Sequence, residues 1–78
     1  RGHDPRPEQE RRLWLNTALQ RLPEQLRDAL ILVKCEGLTY REAAEVLGIP
    51  QGTVQFHVHQ AMKQMRVLLT EQFGLPPL

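Results

Sequence analysis

The stretch that decides the fold is Thr39-Tyr40-Arg41-Glu42-Ala43-Ala44-Glu45-Val46-Leu47-Gly48-Ile49-Pro50-Gln51-Gly52-Thr53-Val54. A threonine followed three residues later by a glutamate has the capping-box form. The hydroxyl accepts a backbone N–H of the first turn, and the carboxylate reaches back to the threonine N–H. A helix therefore starts at Thr39. Ala43, Ala44 and Leu47 fall on one face of it, a narrow buried strip of small residues. Gly48 ends the helix after about two turns, because glycine accepts the left-handed conformation of a helix end. Ile49-Pro50-Gln51 is a tight connection, with Ile49 placed to anchor the turn in the core. A second, longer helix follows. A short capped helix, a tight turn and a longer helix make a helix-turn-helix. The two alanines let the helices approach closely, and one face of the second then projects outward.

Outward from this motif the chain reads as helix throughout. The reading helix covers residues 51–70. Upstream, residues 24–36 carry Leu26, Ala29, Leu30 and Val33 at helical spacing, opened by Pro23 and stopped by Gly37. Residues 8–20 form another helix, with Trp14, Leu15, Ala18 and Leu19 on one stripe. The expected fold is all-α: helices over 8–20, 24–36, 39–47 and 51–70 in one domain spanning 8–72. Residues 1–7 hold two prolines and a glycine and read as a disordered lead-in. Residues 73–78, with Gly74, Pro76 and Pro77, read as a tail. Neither a repeat nor strand-like alternation is present.

On a wheel of roughly 100° per residue the reading helix separates into two faces. Val54, Val58, Ala61, Met65, Leu68 and Leu69 cluster as the core stripe, with Met62 and Met65 as flexible core filler. Gln55, Phe56, His59, Gln60, Lys63 and Arg66 point the other way, and His57 sits at the border. The outward set holds no acid. Glutamine pairs with both major-groove edge groups of adenine, an apolar surface meets a thymine methyl, and a good bidentate pair discriminates by about 1–3 kcal/mol. An exposed Phe56 fits a contact with DNA or a protein, or packing under the C-terminal tail.

Composition narrows the class. A chain of 78 residues makes one small domain. Its formal net charge is only +1, so charge alone does not point to nucleic acid. No apolar run approaches the ~20 residues of a membrane span. The lone Cys35 makes neither an internal disulfide nor a zinc site of several cysteines, which favours a reducing, cytoplasmic setting. Following Leu30-Ile31-Leu32-Val33, it is expected to be buried and inert. His57 and His59 are two apart and point to different sides of a helix, a poor spacing for a shared metal. The chain holds no serine, no glycine-rich phosphate loop and no paired acids, so no catalytic residue, metal or cofactor is assigned.

Three segments carry a family resemblance: Leu19-Gln20-Arg21-Leu22-Pro23-Glu24 with Arg27, Glu36-Gly37-Leu38-Thr39-Tyr40-Arg41-Glu42-Ala43-Ala44, and Leu47-Gly48-Ile49-Pro50-Gln51-Gly52-Thr53-Val54. Together they resemble region 4 of bacterial sigma factors of the sigma-70 family, closest to the extracytoplasmic-function (ECF) type. The resemblance covers nearly all of residues 8–69. It implies a four-helix domain that docks on the promoter −35 element, contacts the β flap of RNA polymerase and often binds an anti-sigma factor. It implies that Thr39, Tyr40 and Arg41 face the DNA backbone at a helix N-terminus, where amide hydrogens favour phosphate. By position it makes Gln55, Phe56, His59 and Gln60 the groove-facing readers, with Lys63 beside them.

The chain departs from the family at one place. After Gly-Thr-Val such factors usually continue with a basic run of the kind KSRLHRAR. Here the run is Gln55-Phe56-His57-Val58-His59-Gln60-Ala61-Met62. Neutral groups stand where cations are expected, and each lost phosphate contact weakens binding and flattens its salt dependence. Two alternatives follow. Thr53 to Met65 also resembles the recognition helix of LuxR-type regulators, though Tyr40 and the upstream Leu-Pro element favour sigma. The other alternative is a sigma-like module that captures an anti-sigma factor without binding DNA.

Overall fold

The computed structural model describes residues 8–74, the side chains of residues 72 and 73 excepted. The lead-in expected over 1–7 and the tail residues 75–78 lie outside the described part. Four helices follow one another, and no strand occurs among the described residues: α1 (Glu8–Arg21), α2 (Glu24–Leu30) continued by a π-helical turn (Ile31–Cys35), α3 (Tyr40–Leu47) and α4 (Gln51–Phe73). The all-α architecture matches the expectation. Within the described residues, no helix is long and apolar enough to cross a membrane.

The core is built on α4. Val54, Val58, Ala61, Met65 and Leu69 are buried, and α1, α2 and α3 all pack against this stripe. They contribute Ala18, Ala29, Leu30 and Ala43, with Leu22 from the α1–α2 link. Leu68, expected in the stripe, is half-buried at its edge. Small residues dominate the facing sides, so the backbones approach closely and the core stays thin. On α1 this has a visible consequence. Ala18 is fully buried, Trp14 and Leu19 are half-buried, but Leu15 is 44% exposed. The expected four-residue stripe is thus narrower than its spacing implied, because an alanine at the closest approach leaves larger neighbours on the flanks.

The second helix differs from the continuous 24–36 segment expected. Regular α-helix stops at Leu30. In the turn that follows, the Glu36 N–H donates to the Ile31 carbonyl at 2.9 Å, five residues back, and the Leu38 N–H donates to the Leu32 carbonyl at 3.0 Å. Leu26, Ala29, Leu30 and Val33 keep α-helical spacing, so the sequence pattern does not mark such a turn. Gly37, at φ 78°, closes it in the left-handed region. Pro23 stands just before α2, with φ −54° and ψ 146°, rather than in its first turn; its carbonyl accepts the Arg27 N–H at 3.0 Å.

Cys35 is exposed, contrary to expectation. It ends the π-helical turn, in which no residue is fully buried. Its apolar neighbours in sequence are not its neighbours in space.

The capping box at α3 forms as read. Thr39 Oγ1 accepts the Glu42 N–H at 3.0 Å, and the Thr39 N–H donates to Glu42 Oε1 at 2.9 Å. Helix α3 proper starts at Tyr40, one residue later than the range 39–47, because Thr39 is the extended cap itself. We expect Thr39→Ala to cost about 1 kcal/mol, and so to lower the melting temperature by roughly 4–8 °C. Thermal unfolding followed by circular dichroism checks it; an unchanged midpoint contradicts the role of the cap. Helix α4 runs three residues beyond 70, and Phe73 belongs to it rather than to the tail. Nothing between Thr70 and Gly74 breaks a helix, and Gly74, at φ 67°, is the first residue that does.

Candidate nucleic-acid interface

The turn between α3 and α4 is held at both ends. Gly48, at φ 69°, and Ile49 both donate their N–H groups to the Ala44 carbonyl, at 2.8 and 3.2 Å. Pro50 then starts α4, and its carbonyl accepts the N–H groups of Thr53 and Val54 at 3.0 and 3.1 Å. Ile49 and Leu47 are half-buried against the core. Val54 and Val58, both fully buried, fix the rotation of α4 about its axis. With that rotation set, the other face of the helix is committed to solvent.

The eight residues expected to touch DNA fall into two groups. On α4, Gln55, His59 and Lys63 are exposed one turn apart, and Phe56 is 59% exposed. Gln60 is half-buried. It lines a groove with Arg21 from the end of α1, which spacing within α4 does not reveal. Helix α4 carries no acid before Glu71, so nothing on its outward face repels phosphate. Arg66 is exposed on the same side.

The second group lies at the start of α3. Thr39 and Arg41 are exposed. Tyr40 is half-buried and packed against the core, so its ring serves the fold. The Thr39 and Glu42 amides are taken up by the capping box. What this terminus offers a phosphate is therefore the Thr39 hydroxyl proton, the next amides and the Arg41 side chain.

His57 sits at the border as its wheel position implies. It is half-buried, its ring lies 6.2 Å from that of Phe56, and its Nδ1 is buried without a hydrogen-bond partner. It lines a cleft of about 360 Å³ with Glu24, Gln25, Asp28, Leu47 and Ile49. His59 points away into solvent. A shallower apolar groove between the π-helical turn and α3 is lined by Asp28, Ile31, Leu32, Val46 and Leu47, with Val46 64% exposed.

Comparison with known proteins agrees with this geometry. Residues 12–65 match the family "Sigma-70, region 4". The chain is 40% identical to the ECF RNA polymerase sigma factor SigE of Mycolicibacterium smegmatis, over 90% of this chain and 29% of that protein. It is 39% identical to the ECF RNA polymerase sigma factor EcfG of Rhodopseudomonas palustris, over 73% of this chain and 34% of that protein. It is likewise 39% identical to the RNA polymerase sigma-H factor of Pseudomonas aeruginosa, over 73% of this chain and 32% of that protein. The chain spans about a third of the length of these curated relatives. Of the two DNA-binding families that its sequence resembles, the match falls on the first. With its helix-turn-helix in place and that match covering most of its length, the chain belongs to the sigma-70 region 4 family, in its ECF branch.

Proposed function

We propose that this chain is the promoter-reading domain of an RNA polymerase sigma factor, laying α4 in the major groove of the −35 element. The observation that carries the reading is the exposed, acid-free face of α4 on a helix whose opposite face is locked into the core. Gln55 and Gln60 read base edges, Phe56 meets apolar base surface, and His59 contributes a further polar contact. Lys63 takes a backbone phosphate. Thr39, Arg41 and the Tyr40 amide hold the DNA backbone at the start of α3. The domain, taken as residues 8–72, acts by binding and carries out no chemical step. The apolar groove around Val46 is offered to the β flap of the polymerase in the cytoplasm, and an anti-sigma factor competes for such surfaces.

A direct test is footprinting with competition binding at fixed salt. Gln55→Ala and Gln60→Ala are expected to change the preference between −35 sequences; equal loss on every sequence removes them from base reading. Lys63→Ala is expected to weaken binding uniformly and to lower the salt slope by ~1. An unchanged slope takes Lys63 out of the phosphate contacts. The second reading, a module that binds an anti-sigma factor and not DNA, is favoured by exposed Phe56 and by the neutral run 55–62. Promoter-dependent binding by the wild type argues against it.

A further inference from the structure

The first three turns of α4 carry no lysine or arginine, yet a helix set in a major groove is flanked by phosphates on both sides. Just beyond those turns the fold adds a cation from another helix. Arg21, the last residue of α1, lines one groove of about 430 Å³ with Gln60, Lys63, Gln64, Val67 and Leu68 of α4. Arg21 and Lys63 are both exposed. They are far apart in sequence, and only the packing of α1 on α4 brings them to the same groove.

We infer that Arg21 and Lys63 form a two-cation grip for a DNA backbone phosphate beside the element that α4 reads. The inference rests on the promoter-reading role and extends it to a residue outside the helix-turn-helix. The chemistry fits in three ways. Among the described residues the lining brings two cations and no carboxylate to the groove, which suits an anion. Val67 and Leu68 give it an apolar floor, along which the aliphatic stems of arginine and lysine lie while their charged heads reach out. The guanidinium presents five N–H donors, so it grips phosphate in a forked, bidentate way while keeping a protein contact. Gln60 and Lys63 belong both to the groove and to the reading face, so a strand followed from the bases leads directly to it. That continuity favours DNA over an acidic peptide as the occupant.

The experiment measures affinity against salt for the full chain on a −35 duplex and on an unrelated duplex. Arg21→Gln is expected to reduce affinity equally on both and to lower the slope of log K against log salt by ~1. Arg21→Lys, which keeps the charge, is expected to restore most of the slope. Because Arg21 is exposed, its helicity and melting temperature serve as a check that the variant stays folded. A wild-type slope in Arg21→Gln overturns the grip, even if the wild type prefers the −35 duplex. A lowered slope without any preference between duplexes keeps the grip and overturns the promoter reading instead. Loss of binding to RNA polymerase with an unchanged DNA slope makes the groove a protein site and overturns the grip.

Discussion

Leu30→Ala is expected to destabilise the domain by about 2–5 kcal/mol, enough to leave much of it unfolded at 37 °C. Leu30 is 4% exposed and ends the regular part of α2, where that helix packs against α4. The rest of the core is built mostly from alanine and valine, so few large side chains share its burial. Truncation leaves a cavity that the α2–α4 contact cannot close, because the π-helical turn beginning at Ile31 already fixes the chain on one side. A domain of this size holds only ~0.05–0.15 kcal/mol per residue in total. The loss is therefore comparable to the whole. Urea unfolding followed by circular dichroism measures it, with Val46→Ala as the control. Val46 is 64% exposed, and its truncation should stay within about 0.5 kcal/mol. A cost for Leu30→Ala no larger than the control would show that α2 is not seated as described.

The second large effect is electrostatic. A Gln55→Glu, His59→Glu variant is expected to lose promoter binding by at least about 10-fold, since a lost bidentate base contact alone costs about 1–3 kcal/mol. Two new acids facing phosphate add to that. The opposite change, Gln55→Arg with His59→Arg, adds two cations to this face, the first where the family run has a lysine. It should steepen the salt slope by about 1.8, at ~0.9 per added phosphate contact. Both positions are exposed, so neither pair disturbs the core. Titration at several salt concentrations reads both results. Equal affinity and slope in the two variants would mean that this face of α4 does not meet DNA, and would leave the protein-binding reading standing.

Much of the candidate site was legible in the sequence because it depends on local rules. The capping box at Thr39 and Glu42, the left-handed Gly48 and the two faces of α4 all arise from spacing within a few residues. The spacing failed where a contact joins distant segments. Gln60 looked as open as Gln55, yet α1 brings Arg21 beside it. Tyr40 looked like a surface residue at a helix N-terminus, yet its ring packs inward. Cys35 looked buried because its neighbours in the chain are apolar, yet it closes a π-helical turn in which no residue is fully buried.

The sequence by itself determined that this protein is a four-helix, helix-turn-helix domain, because caps, helix breaks and apolar periodicity act over single turns of helix. It also carried the family, through segments spread over most of the chain. Only the tertiary structure decided the π-helical turn after Leu30, the narrowness of the α1 stripe and the placing of Arg21 and Lys63 on one groove. The last two depend on how closely two helices approach. That distance is set by the side chains on both partners together, and no periodicity within either helix contains it.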